Sequence, residues 1–137
     1  MKNKNIQVVG GLIVKSNKIL ICQRPSDNEH PLKWEFPGGK VKRLEKPNLA
    51  LKRELKEEIK ITIKNPIYLC DYTFEYQDLG KKVELFFFLI TDYLGEISNT
   101  IHNQLKWIEI KQLSNYDFLE GDYEIIKRIL NNDLKIN

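Results

Sequence analysis

The sequence predicts an α+β fold in which helices pack on a mixed β-sheet, and three observations predict it. Segments rich in Val, Ile and aromatic residues lie on both sides of one strongly helical stretch, 47–60. A second amphipathic run, 123–131, closes the chain. No linker, repeat or low-complexity segment divides the 137 residues, of which 42% are hydrophobic, so one domain spanning 1–137 is expected. A chain of this size buries roughly two-thirds of its unfolded surface and needs no disulfide or structural metal to fold.

Ile6 to Val14 reads as a strand, Ser16-Asn17 as a turn and Lys18 to Arg24 as the returning strand. A polar loop runs from Pro25 to Leu32. Trp34-Glu35-Phe36 is a short extended piece closed by Pro37-Gly38-Gly39. Pro47 suits a first helical position. Leu49, Leu51, Leu55 and Ile59 turn towards a core, with Ala50 beside them. Ile61 to Phe74, Lys82 to Tyr93 and Gln104 to Ile110 read as strands. In the last helix Ile125, Ile126, Ile129 and Leu130 share a face.

The net charge of +3 is too small for long DNA or RNA, which needs a dense basic stripe. Cys22 and Cys70 have no Cys or His at metal-ligand spacing and read as two buried free thiols, consistent with a reducing compartment. Met1-Lys2-Asn3-Lys4-Asn5 lacks the apolar stretch of a signal peptide. The longest apolar run, Leu85 to Ile90, is too short to span a bilayer. A cytoplasmic protein without membrane contact is expected, as a monomer or homodimer.

Chemistry centres on Arg53-Glu54-Leu55-Lys56-Glu57-Glu58. On a helix, positions 54, 57 and 58 project from one side. Three neighbouring carboxylates repel one another unless a cation sits among them, and hard divalent cations take oxygen ligands. An isolated string of this kind is otherwise a solvated acidic face. Here it has context. Gly39, five residues, Glu45, seven residues, then Arg53 to Glu58 and Ile61 follow one long gapped pattern.

That pattern resembles the signature of the Nudix hydrolases. The likeness extends to MutT-type members through Val9-Gly10-Gly11-Leu12-Ile13, Ile19-Leu20-Ile21-Cys22-Gln23-Arg24, Lys33-Trp34-Glu35-Phe36-Pro37-Gly38-Gly39 and Asp117-Phe118-Leu119-Glu120-Gly121-Asp122. The resemblance implies the Nudix fold, an α/β/α sandwich. It implies a Mg²⁺-dependent enzyme, with Mn²⁺ as an alternative ion, that converts a small nucleoside triphosphate to the monophosphate and pyrophosphate. Oxidised or non-canonical nucleotides are the expected substrates. Glu54, Glu57 and Glu58 with the Gly38 carbonyl match the family's metal ligands. Arg53 orients them, while Gly39 and Glu45 shape the supporting loop. Arg24 and Lys40 are either phosphate holders or plain surface charge. Phe36 and Tyr76 fall near the base site, as do Ile6 and Val8, for which a core role is an equal reading. Asp122 stands where the family reads the base edge, or it caps the last helix.

Four positions depart from the pattern. Lys42 replaces a common Glu, Leu44 a frequent Gly, and Lys60 the Gly after the helix. Ile101 stands where related enzymes place another Glu, with His102 beside it as a partial substitute or a structural residue. These departures leave open a hydrolase of another nucleoside diphosphate compound, or a binding module on the same fold.

Overall fold

Strand β1 (Ile6–Lys15) runs through the middle of the sheet and is buried on both faces from Val9 to Val14. Alternation sends Leu12 and Val14 into one hydrophobic cluster and Val9 and Ile13 into the other, as the two-residue period of a strand requires. The computed structural model describes residues 6–136. The polar segment Met1-Lys2-Asn3-Lys4-Asn5 lies outside them.

β1 turns at Ser16 and Asn17, whose φ values of 51° and 64° are those of a tight hairpin turn that matches strand twist. The chain returns as β2 (Lys18–Gln23), which pairs with β3 (Trp34–Glu35). β4 (Gly38–Lys40) pairs antiparallel with the start of β1. α1 spans Pro47–Ile59. After it come β5 (Thr62–Ile63), β6 (Ile67–Tyr76), β7 (Lys81–Ile90), β8 (Tyr93–Leu94) and β9 (Gln104–Glu109). β7 runs parallel to β1 from Ile6↔Val83 to Ile13↔Ile90, and β6 lies antiparallel on its far side. The sheet order is β3-β2-β1-β7-β6, with β9 on β2. The sheet is therefore mixed.

α1 presents Leu51, Leu55 and Ile59, four residues apart, to Val9, Ile13 and Leu20 on one face of the sheet. A 3-10 helix (Ile110–Asn115) and α2 (Tyr123–Leu130) cover the other face through Leu113, Ile125, Ile126 and Ile129. Helices on both faces of a mixed sheet make the α/β/α sandwich that was expected. No helix among the described residues is long and apolar enough to cross a membrane.

Several boundaries differ from the sequence reading. The strand expected over 61–74 is two strands, broken at Lys64-Asn65-Pro66, where Asn65 has φ 47° and Pro66 cannot donate to a ladder. The strand expected over 82–93 ends at Ile90, and Tyr93–Leu94 pairs with β5 instead. β4 was not foreseen, because a glycine pair reads as a turn. Leu49 is 52% exposed rather than in the core, since it lies off the Leu51-Leu55-Ile59 stripe. Leu130 is likewise exposed, and Cys70 is only half-buried although Cys22 is fully buried.

Lys60 closes α1 in the left-handed conformation at φ 65°, its N–H bonded to the Leu55 carbonyl. A side chain there crowds its own backbone by roughly 1–2 kcal/mol relative to glycine. Lys60→Gly is therefore expected to raise stability by about 1 kcal/mol, measured as a shift in the urea midpoint. A lower midpoint would mean that Lys60 contributes contacts outweighing its backbone strain.

Candidate active site

The stripe that buries α1 also dictates where its glutamates go. Glu54 and Glu58 each directly precede a buried residue, Leu55 or Ile59, so they flank the packed stripe with side chains only 14% exposed. Glu57 points outward and is 59% exposed. The three stay on one side of the helix, as their spacing required, but only two are drawn into the protein.

The loop before α1 completes this face. Gly39 approaches so closely that a Cβ there would stand 2.5 Å from the Glu54 carboxylate, and a Cβ on Gly38 would collide with the Val9 carbonyl. Glycine is thus demanded twice by close packing. Arg53 ties loop to helix. Its Nε and Nη2 donate to Glu45 at 2.9 Å, Nη1 donates to Glu54 at 2.8 Å, and Nη2 also donates to the Lys40 carbonyl at 3.0 Å. Glu45 also accepts the Lys42 N–H. Hydrogen bonds from Arg53 and Lys42 hold the Glu45 carboxyl down to about 2. Leu44, at φ 65° and 96% exposed, makes the turn where the family often has Gly.

A cleft of about 340 Å³ opens beside this face. Gly38, Gly39, Lys40 and Glu58 line it, whereas Glu54 and Glu57 do not. Ile6, Val8, Phe36, Tyr76 and Asp122 line it too, so four apolar or aromatic candidates do meet in one place. Phe36 is only 5% exposed, at the floor, packed edge-on to Phe87. The Tyr76 hydroxyl accepts the Gly121 N–H at 3.1 Å. Arg24 reaches the cleft but is already engaged, its Nη1 donating to Glu35 at 3.0 Å and its Nε to the Glu29 carbonyl at 2.8 Å. A separate hollow of about 500 Å³ near Asn17 and Lys135 has Glu109 as its only carboxylate among the described residues.

Asp122 is buried and makes no side-chain cap on α2, so the capping reading lacks its hydrogen bond. It accepts the Phe36 N–H instead, and burial, with nearby Glu35, pushes its carboxyl well above the usual range. Burial thus favours its protonated form, in which a carboxyl can donate as well as accept.

Sequence reading missed Glu35. It was seen only as part of a strand, yet it stands at the cleft wall. Burial raises its carboxyl against the opposing pull of Arg24. His102 was weighed as a partial substitute for a Glu or as a structural residue. Its Nε2 lies 3.9 Å from Glu35 Oε2 and 3.8 Å from Glu58 Oε2, and burial lowers its pKa, which keeps it neutral. No sequence spacing announces this meeting, because residues 35, 58 and 102 come from three separate elements.

Such a face belongs to a protein that gathers carboxylates beside a nucleotide-sized cleft. The chain belongs to the NUDIX domain family, whose profile matches residues 4–129. It is 37% identical to the 8-oxo-dGTP diphosphatase of Buchnera aphidicola subsp. Schizaphis graminum, over 92% of each chain. It is 30% identical to the CTP pyrophosphohydrolase of Escherichia coli, over 93% of each. The solved structure of MutT from methicillin-resistant Staphylococcus aureus superposes with a TM-score of 0.72 at 32% identity, covering 96% of this chain and 99% of that one.

The crowding of carboxylates has a consequence for stability. Burial, then the charge of Glu54, pushes the Glu58 carboxyl from 4.5 up to about 9. Between those values the folded protein keeps a proton that the unfolded chain has lost, so stability falls as pH rises. Without divalent ions the melting temperature is expected to decline across that window. Mg²⁺ should reduce the decline by holding Glu58 ionised, and Glu58→Gln should flatten it. A decline of equal size in the Glu58→Gln protein would assign it to other groups.

Proposed function

We propose that the protein is a divalent-cation-dependent nucleoside triphosphate pyrophosphohydrolase that releases the nucleoside monophosphate and pyrophosphate. Mg²⁺ is the ion proposed. The observation that carries this reading is the mutually repelling pair Glu54 and Glu58, of which Glu58 lines a cleft shared with Phe36, Tyr76 and Asp122. A buried carboxylate oxygen on Glu58 has no partner, and all the donors are oxygens, which fits a hard cation. Among the described residues no three acidic, His or Cys side chains are yet placed together to hold an ion, so binding must draw the glutamates together and turn Glu54 away from Arg53.

Glu54, Glu57, Glu58 and the Gly38 carbonyl are the proposed ligands. Bound there, the cation would neutralise phosphate oxygens and lower the pKa of a water. Arg53 and Glu45 position the carboxylates without touching substrate. Lys40, exposed at the mouth, and Arg24, deeper and paired with Glu35, supply positive potential for the phosphate chain. Phe36 and Tyr76 give the base an apolar, aromatic setting. Asp122, buried and with its carboxyl raised by that burial, reads the base edge through hydrogen bonds. The names of the relatives put oxidised guanine and cytosine nucleotides first among substrates to test.

The test is product analysis. With Mg²⁺ and a panel of triphosphates, monophosphate and pyrophosphate are the expected products, and release of orthophosphate alone would overturn the reaction assigned. Glu57→Gln is expected to lower kcat by roughly a hundredfold or more with the fold intact. Near-normal turnover at saturating Mg²⁺ would remove Glu57 from the ligand set.

Asp122→Ala should change the ranking of kcat/KM among bases by about tenfold to a hundredfold, because a substrate group is left unpaired in a partly dry pocket. Turnover of the preferred substrate at saturation should change less. An unchanged ranking would leave Asp122 as a structural acid that holds the Phe36 N–H.

A further inference from the structure

We propose that Tyr72 is a positioning residue for base selection. Its hydroxyl grips the chain on both sides of Asp122 and keeps the Asp122 carboxyl off the end of α2 and turned to the cleft. The inference deepens the reading of Asp122 given above and rests on it.

Tyr72 and Tyr76 lie four residues apart on β6, so both rings project from one face of the sheet, the face that α2 covers. Tyr72 does not line the cleft. Its ring packs on Phe87 at 5.7 Å between centroids, with the Arg128 guanidinium over it. Its hydroxyl donates to the Gly121 carbonyl at 2.6 Å and accepts the Ile125 N–H at 3.2 Å. The Tyr76 hydroxyl accepts the Gly121 N–H at 3.1 Å. One strand therefore holds both backbone polar groups of Gly121, and a Cβ on Gly121 would collide with the Tyr76 hydroxyl. Asp122 is the next residue.

The bond to Ile125 matters because of where Asp122 stands. An aspartate directly before a helix ordinarily turns its carboxyl onto the second or third N–H of that helix. In α2, which starts at Tyr123, the third N–H belongs to Ile125, and Tyr72 already takes it. Asp122 is held at φ −91° and ψ −5°, a helical backbone in place of the extended one of a capping residue, and its side chain makes no cap. The carboxyl is turned instead to the Phe36 N–H, beside the cleft that Asp122 lines.

A phenolic hydroxyl suits this task because it donates and accepts at once, so one atom bridges the residues on either side of Asp122. Phenylalanine at 72 would keep the ring packing and lose both bonds. The Ile125 N–H would then lack its acceptor, and a helix-end N–H without a partner is the group that an aspartate in this place satisfies. Losing the hydroxyl therefore loosens the turn and gives the Asp122 carboxyl a competing donor, although Tyr72 itself touches no substrate.

The test compares the whole chain with Tyr72→Phe, Asp122→Ala and the double variant. It measures kcat/KM over a panel of purine and pyrimidine triphosphates, and amide hydrogen exchange at Ile125 by NMR. Tyr72→Phe should shift the ranking of bases in the same direction as Asp122→Ala, by about tenfold, through KM more than kcat. In the Asp122→Ala background it should add little, because both changes remove one function. The Ile125 amide should exchange slowly in the unaltered protein and in Asp122→Ala, and fast in Tyr72→Phe. Fast exchange at Ile125 in the unaltered protein overturns the proposal, whether or not the variants fold. An unchanged ranking in Tyr72→Phe beside a changed one in Asp122→Ala makes Tyr72 merely structural and leaves the base-reading role of Asp122 standing. A shift of equal size in the Asp122→Ala background shows an effect that does not pass through Asp122, and overturns the proposal too. If Asp122→Ala itself leaves the ranking unchanged, the base-reading role fails and that of Tyr72 falls with it.

Discussion

The guanidinium of Arg53 is the tie on which the site depends. It joins Glu45 from the loop, Glu54 from its own helix and the Lys40 carbonyl from β4. A planar fork of donors can satisfy a carboxylate through two bonds and still reach two further acceptors, which a lysine cannot do. Because β4 is laddered to β1, this set of bonds fastens the helix end bearing the glutamates to the centre of the sheet. Loss of the tie would free the loop and the Glu54 carboxylate together, while the buried Leu51-Leu55-Ile59 stripe keeps the helix in place.

That tie sets up an electrostatic conflict the fold does not resolve by itself. The stripe Leu51-Leu55-Ile59 fixes the rotation of α1, and Glu54 and Glu58 are carried inward by it. Arg53 offsets the charge of Glu54, but nothing comparable reaches Glu58, which keeps a proton well into the alkaline range. Glu35, Asp122 and Glu58 all have raised carboxyl pKa values around one cleft. A site in which burial disfavours the charged form of several carboxyls is poised for a ligand that supplies positive charge or hydrogen bonds.

Much of this was legible in the chain. The period of Leu51, Leu55 and Ile59 gave the helix and its buried side, and the Gly39–Glu45–Arg53 spacing pointed to the loop and its clamp. The departures at Leu44 and Lys60 proved to be positions of left-handed backbone, which a glycine adopts at lower cost. Where reading failed, the cause was local ambiguity. A glycine pair signals a turn, although here it is a strand held close to its neighbour, and the break at Asn65-Pro66 was hidden inside a long apolar run.

Spacing along one helix or one loop is written in the sequence, because side-chain direction follows from the 3.6-residue and two-residue periods. The carboxylate face, its glycine-rich loop and the amphipathic closing helix are of that kind. Only tertiary structure decided that Glu35 and His102 meet Glu58, that Asp122 is buried and makes no cap, and that Arg24 is already paired. These depend on burial and on contacts between strands, a helix and a loop far apart in the chain, and neither desolvation nor a long-range distance has any signature in local residue order.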